Sequence, residues 1–186
     1  MVIGLTGFAR AGKSTVAQYL AENHGFKRIN FKDGLVNEIK EKFPETLDAI
    51  LFNYMLSERI KEAEIDELFK WKPPIMRSLM QNYGTNVMRA INTDHWVDIW
   101  RTSVAQEKHV VADDVRFFNE LNAVRDMGGV IIRVQRPDIV SGGSHQSETE
   151  QLDFEVDFII EGVPGSHTEI YKQVEDIIRI LKENCD

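Results

Sequence analysis

Short apolar runs alternate along this chain with longer stretches of helical spacing. Val2-Ile3-Gly4-Leu5-Thr6 has the length and composition of a buried strand. Behind it Val16, Tyr19 and Leu20 recur at helical intervals, and Gly25 marks the stop. Lys27-Arg28-Ile29-Asn30-Phe31 reads as a second strand, with Asp33 placed either to cap the next helix or to face a ligand. From Gly34 to about Gln106 no strand pattern appears. Leu47, Ile50, Leu51, Tyr54 and Met55 share one helical face, and Ile60, Ile65, Leu68 and Phe69 form a second apolar set ended by Pro73-Pro74. Ile75, Leu79, Met80 and Tyr83, then Val87, Met88 and Ile91, continue the helical pattern, and a last helix starting near Thr93 or Asp94 carries Trp96, Val97 and Trp100.

Strand patterns return at His109-Val110-Val111-Ala112, at Val130-Ile131-Ile132-Arg133-Val134 and at Val156-Asp157-Phe158-Ile159-Ile160. Between the first two lies a helix striped by Phe117, Leu121 and Val124 and closed by Gly128-Gly129. The final helix opens on Ser166-His167-Thr168-Glu169, a capping box, and buries Ile170, Val174, Ile177, Ile178 and Leu181. Strands alternating with helices predict an α/β fold with a five-stranded parallel sheet and a ligand at the strand C-terminal ends. A parallel crossover needs about a dozen residues. The helical block is several times longer, which makes it a substrate-binding insertion at about 34–107 in a single domain whose core is 1–33 and 108–186.

The chemistry begins at Gly7-Phe8-Ala9-Arg10-Ala11-Gly12-Lys13-Ser14, with Thr15 behind it. Glycines at this spacing, followed by Lys and Ser between a strand and a helix, form a phosphate-binding loop. Small residues let backbone N–H groups curl around an anion, and the helix N-terminus adds partial positive charge. Gly7, Ala11, Gly12, Lys13, Ser14 and Thr15 would hold the triphosphate, with Lys13 on the β- and γ-phosphates and the Ser14 hydroxyl on Mg²⁺. Asp113, at the end of an apolar strand, is placed to hold the same Mg²⁺ directly or through water, the alternative being a helix cap. Asp114 is open between acceptor contact and solvation.

Phosphoryl transfer needs positive charge around the moving group more than acid–base chemistry. Arg10, Arg116 and Arg136 stand at the sheet edge; Arg77 and Arg89, in the insertion, have the fork geometry to hold an acceptor phosphate. Arg28 and Arg133 are taken as surface residues. Trp96, and also Trp71 or Trp100, is open between base stacking and core packing. Ser141-Gly142-Gly143-Ser144 makes the best lid, within about 137–150, and no Lys or Arg occurs from Pro137 to Ser166 to give that lid a cationic finger.

Composition narrows the field. A formal net charge of −8 over 186 residues argues against a nucleic-acid partner. No apolar run reaches membrane-span length, and the N-terminus carries no signal-like segment. Cys185 is the only cysteine, so intrachain disulfides and cysteine metal clusters are excluded and a reducing cytoplasm is the expected setting. Monomer and homodimer are both left open.

With these pieces placed, the chain resembles the bacteriophage deoxynucleoside monophosphate kinases, a branch of the P-loop nucleoside monophosphate kinases. The likeness rests on the phosphate loop, on Leu79-Met80-Gln81-Asn82-Tyr83-Gly84-Thr85 with Arg89 and Asp94-His95-Trp96-Val97, and on Asp113-Asp114-Val115-Arg116-Phe117-Phe118-Asn119-Glu120. Gly128-Gly129 through Arg136-Pro137 and His145-Gln146-Ser147-Glu148 complete it. The resemblance implies the P-loop kinase fold and the reaction ATP + dNMP → ADP + dNDP with Mg²⁺. It places Gln81, Arg89 and Trp96 on the acceptor side and Arg116 between the two phosphate chains; Asp33, Arg77 and Asp114 stand as further acceptor candidates from the reading of the residues above. It also implies host cytoplasm as the location if the chain is phage-encoded. Two rivals remain: a kinase of another small acceptor such as dephospho-coenzyme A, and a nucleotide-dependent switch. The Asn-Lys-x-Asp of guanine-specific switches does not follow the fourth strand.

Overall fold

The computed structural model describes residues 1–139, 149–162 and 166–183. The Ser141–Ser144 loop, most of the 137–150 lid, His145 with the motif around it, and Cys185 lie outside the described residues. Strands β1 (Val2–Thr6), β2 (Lys27–Arg28), β3 (Val110–Ala112), β4 (Val130–Gln135) and β5 (Phe158–Glu161) form one sheet in the order β2-β3-β1-β4-β5. Every pairing is parallel, as the alternation of strands and helices predicts. β1 is therefore central, and the turn that follows it opens at the C-terminal edge of the sheet.

The first and last helices, α1 (Lys13–His24) and α8 (His167–Glu183), share a core with one sheet face. Ile3, Leu5, Ile132 and Val134 meet Val16, Leu20, Ile170 and Val174 there. On the opposite face Gly4 leaves room for Ile131, Val115 and Val124, the last of these on α7 (Phe118–Asp126). A Cβ on Gly4 would stand 2.9 Å from Ile131 Cδ1, so the strand's apolar run is interrupted by a residue that α7 packing requires.

The chain divides into two compact units, one made of Met1–Phe31 with Trp100–Asp186 and the other of Lys32–Ile99. The second is helical: most of α2 (Phe31–Lys42), then α3 (Pro44–Glu58), α4 (Ile65–Trp71), α5 (Pro74–Gln81), a π-helix (Asn82–Arg89) and the first half of α6 (His95–Val104). Its core is Ile39, Leu47, Ile50, Leu68, Met76, Tyr83 and Trp96.

Two elements differ from the sequence reading. The second strand stops at Arg28, because tertiary contacts take over the backbone beyond it. Ile29 N–H still bonds to Val111 O, but the Ile29 carbonyl accepts the Trp100 indole N–H at 2.9 Å. Phe31, stacked on Trp100 with ring centroids 4.4 Å apart, starts α2 instead of ending a strand. Asp33 consequently lies in the first turn of that helix and is not its cap. The second difference is the π-helix over 82–89, where apolar periodicity alone predicts an ordinary helix. Such wide turns commonly mark functional positions.

Candidate functional site

The loop after β1 is shaped by two glycines in positive-φ conformations, Gly7 at 128° and Gly12 at 111°. A Cβ on Gly7 would stand 2.1 Å from the Val134 carbonyl oxygen, so only glycine fits there. Ala11 is buried, its N–H on the Phe8 carbonyl, while Arg10 is exposed at the crest with a φ of 68°. Gly12 is the N-cap of α1, which has no side-chain cap and no acidic residue in its first turn. The first N–H groups of a helix have no acceptor within it, and the dipole makes this end attractive to an anion. Lys13 extends back across the loop, its ammonium donating to the carbonyls of Gly7 (2.5 Å) and Phe8 (2.8 Å). Thr15 follows, half-buried.

Ser14 Oγ donates to Asp113 Oδ2 at 2.9 Å, which unites the two residues that the sequence assigned to metal. Asp113 is 4% exposed, and a carboxylate so buried needs compensation. Arg28 provides it, donating from Nη2 to the same oxygen at 2.8 Å. The Asp113 N–H is taken by the Asn30 side chain. Arg28 is exposed, as the sequence reading has it, but its pairing with Asp113 was not foreseen. The register of β2 on β3 sets Arg28 against Val111, two residues before Asp113, a relation visible only once the strands are paired. Asp114 accepts the Phe31 N–H at 3.1 Å and so caps α2 from a distant part of the chain. Arg116 has its N–H on Glu120, just before α7. Arg136 is gripped by both oxygens of Asp138 (3.0 and 2.5 Å).

Among the described residues no group of three or more His, Cys, Asp or Glu side chains forms a metal cage. The Ser14–Asp113 pair is instead a two-donor oxygen set. Mg²⁺ is normally held by one or two protein groups together with waters and substrate phosphates, so this pair fits it.

In the helical unit, Arg77 (exposed) donates to the Lys72 carbonyl, Gln81 is exposed at the end of α5, and Arg89 donates to the Thr93 carbonyl. Arg77 and Gln81, four residues apart, share one side of α5, and Arg89 ends the π-helix. Trp96 belongs elsewhere: it is 4% exposed in the unit's core, with its indole N–H on the Gly84 carbonyl at 3.0 Å. Base stacking by Trp96 is thereby corrected to core packing; Trp100 is buried as well.

A polar cluster unforeseen from the sequence joins α2, the π-helix and α6. Glu38 accepts from Lys42 (2.9 Å), from the Tyr83 hydroxyl (2.8 Å) and from His95 Nε2 (2.7 Å), which must carry the proton because a carboxylate only accepts. Burial pushes the Glu38 carboxyl up, but the hydrogen bonds from Lys42, Tyr83 and His95 outweigh it and hold the group below its ordinary 4.5. A depressed carboxyl contributes stability that is present above its ordinary value and lost as pH falls through the lower folded value. The expected result is a melting temperature that falls below pH 4.5, and falls less steeply in Glu38→Gln; thermal melts of both proteins across pH 3 to 6 check it.

A glycine-rich anion loop at the end of the central strand of a parallel sheet, with its Lys, Ser and strand-end Asp, defines a phosphate-loop protein. The solved structure of TT1252 from Thermus thermophilus has this fold: it is 15% identical, covers 97% of each chain, and superposes with a TM-score of 0.54. The family model for deoxynucleotide monophosphate kinase matches residues 45–173. A protein of Acanthamoeba polyphaga mimivirus, described as a putative deoxynucleotide monophosphate kinase, is 34% identical over 161 residues, 81% of each chain. The chain belongs to the deoxynucleotide monophosphate kinase family and is a nucleotide kinase. No helix among the described residues is long and apolar enough to cross a membrane.

Proposed function

We propose that this kinase transfers the γ-phosphoryl group of ATP to a deoxynucleoside 5′-monophosphate, giving ADP and a deoxynucleoside diphosphate. The observation that carries the reading is a glycine loop with Lys13 drawn across it and its Ser14 paired with Asp113, in a chain of the deoxynucleotide monophosphate kinase family. The triphosphate tail lies in the Gly7–Thr15 loop, with its negative charge met by the start of α1, by Lys13 and by Arg10. Ser14 and Asp113 would hold Mg²⁺, which when bound neutralises charge on the β- and γ-phosphates. Arg28 offsets the Asp113 carboxylate. The helical unit receives the acceptor, with Arg77, Gln81 and Arg89 as its polar contacts, and Asp33, in the first turn of α2, as a further candidate contact. Arg116 and Arg136 supply charge as the phosphoryl group moves.

Family membership favours a nucleotide acceptor over dephospho-coenzyme A. A coupled ADP assay against each standard monophosphate, its deoxy form and dephospho-coenzyme A tests this choice. ADP forming only with one or more deoxynucleoside monophosphates supports the proposal; turnover with none of them removes it. In the same assay Arg116→Ala lowers kcat more than it raises KM, because charge at that position is needed mainly in the transition state. An unchanged kcat strikes Arg116 from the machinery.

A further inference from the structure

The four-residue turn Glu150–Asp153, a single 3₁₀ turn ahead of β5, carries a buried amide. Gln151 is 3% exposed. Its Oε1 accepts two hydrogen bonds, from the Thr6 hydroxyl (3.2 Å) and from the Gly7 N–H (3.1 Å). Gly7 is the first residue of the phosphate loop, so the loop's entry is held by a side chain 144 residues further along the chain.

The turn itself is fixed from the sheet. Arg133 lies opposite Thr6 in the β1–β4 register, and its Nη2 donates to the carbonyls of Gln151 (3.1 Å) and Phe154 (3.0 Å), with that of Leu152 at 3.4 Å. This is what Arg133 does, in place of the surface role read from the sequence. From the same turn the Glu150 carboxylate takes the Phe118 N–H at 2.6 Å, two residues after Arg116. Glu120 takes the N–H groups of Arg116 (2.8 Å) and Phe117 (3.3 Å). One short turn thus grips the start of the anion loop with Gln151 and the segment after Arg116 with Glu150.

Gly7 has little freedom left. The Val134 carbonyl closes the side where a Cβ would point, and Gln151 takes the N–H. Together they select one orientation for the Thr6–Gly7 peptide, and the direction of every following N–H in the loop depends on it. An anion site whose donors are held in place before the ligand arrives binds with a smaller ordering cost.

We infer that Gln151 is a positioning residue of the phosphate loop, which sets ATP affinity through Gly7 without touching the nucleotide; this rests on the kinase reading above. Gln151→Met keeps the length and volume of the side chain but removes the acceptor. It raises the dissociation constant for ATP with Mg²⁺ about tenfold and leaves the acceptor KM unchanged. Thr6→Val removes the other donor to the same oxygen and leaves the Gly7 bond, so its ATP affinity stays within about threefold of the parent.

A merely structural amide moves both variants alike. Amide exchange at Gly7, followed by NMR in the unmodified protein, needs no variant and is expected to be slow. Unweakened ATP binding in Gln151→Met, equal weakening in both variants, or fast exchange at Gly7 overturns the inference. Failure of the unmodified protein to bind ATP contradicts the kinase reading instead, and Gly7 exchange then decides the clasp by itself.

Discussion

Lys13→Ala is expected to lower kcat/KM by about a thousandfold, roughly 4 kcal/mol of lost transition-state stabilisation. The ammonium sits across the mouth of the anion loop on two of its carbonyls, and the same flexible stem can swing the charge onto a phosphate chain. Little in phosphoryl transfer replaces such a charge, because the protein contributes positioning and electrostatics and no covalent chemistry. The fold survives, since α1 and its core residues Val16, Ala17 and Leu20 do not depend on that side chain. Steady-state kinetics beside a thermal melt separate the two effects. A variant that melts like the parent and turns over like it would dismiss Lys13 from catalysis.

Gly7→Ala is the second large effect, and its origin is steric. The new methyl would lie 2.1 Å from the Val134 carbonyl oxygen, and that oxygen belongs to β4, which is hydrogen-bonded on both sides. A positive φ of 128° adds strain that alanine resists. Conformational strain and overpacking together cost about 3 kcal/mol or more. For a domain of this size that is a fall of roughly 6 to 12 °C in melting temperature, with ATP binding lost alongside. Differential scanning calorimetry measures it, and a melting temperature within a degree of the parent would mean that the loop relaxes away from Val134.

Local patterns made much of this molecule legible. Val2–Thr6, the glycine loop and the helix behind it form a continuous signal, because strand burial, positive φ and helix start are all local requirements. The same holds for Phe118–Asp126 and for Val130–Gln135. What escaped was whatever depends on a partner far along the chain. Arg28 on a short exposed strand looks like any surface arginine until β2 pairs with β3 and brings it to Asp113. Phe31 carries strand propensity, yet Trp100 and Asp114 turn it into a helix start. Trp96 has an amphipathic ring suited to stacking, but the Gly84 carbonyl satisfies its N–H inside the helical core. Gln151, one polar residue in an acidic turn, gives no signal of its own; only the closeness of that turn to β1 reveals it.

The central claim is that a phosphoryl group passes from the loop-bound triphosphate to a deoxynucleotide acceptor. Phosphorus-31 NMR of the protein with ATP, magnesium and the standard deoxynucleoside monophosphates observes that transfer directly. The account predicts that ATP signals decline in step with the growth of ADP and of a deoxynucleoside diphosphate, with little free phosphate released. Inorganic phosphate as the main product, or ATP left intact beside every monophosphate, would contradict it.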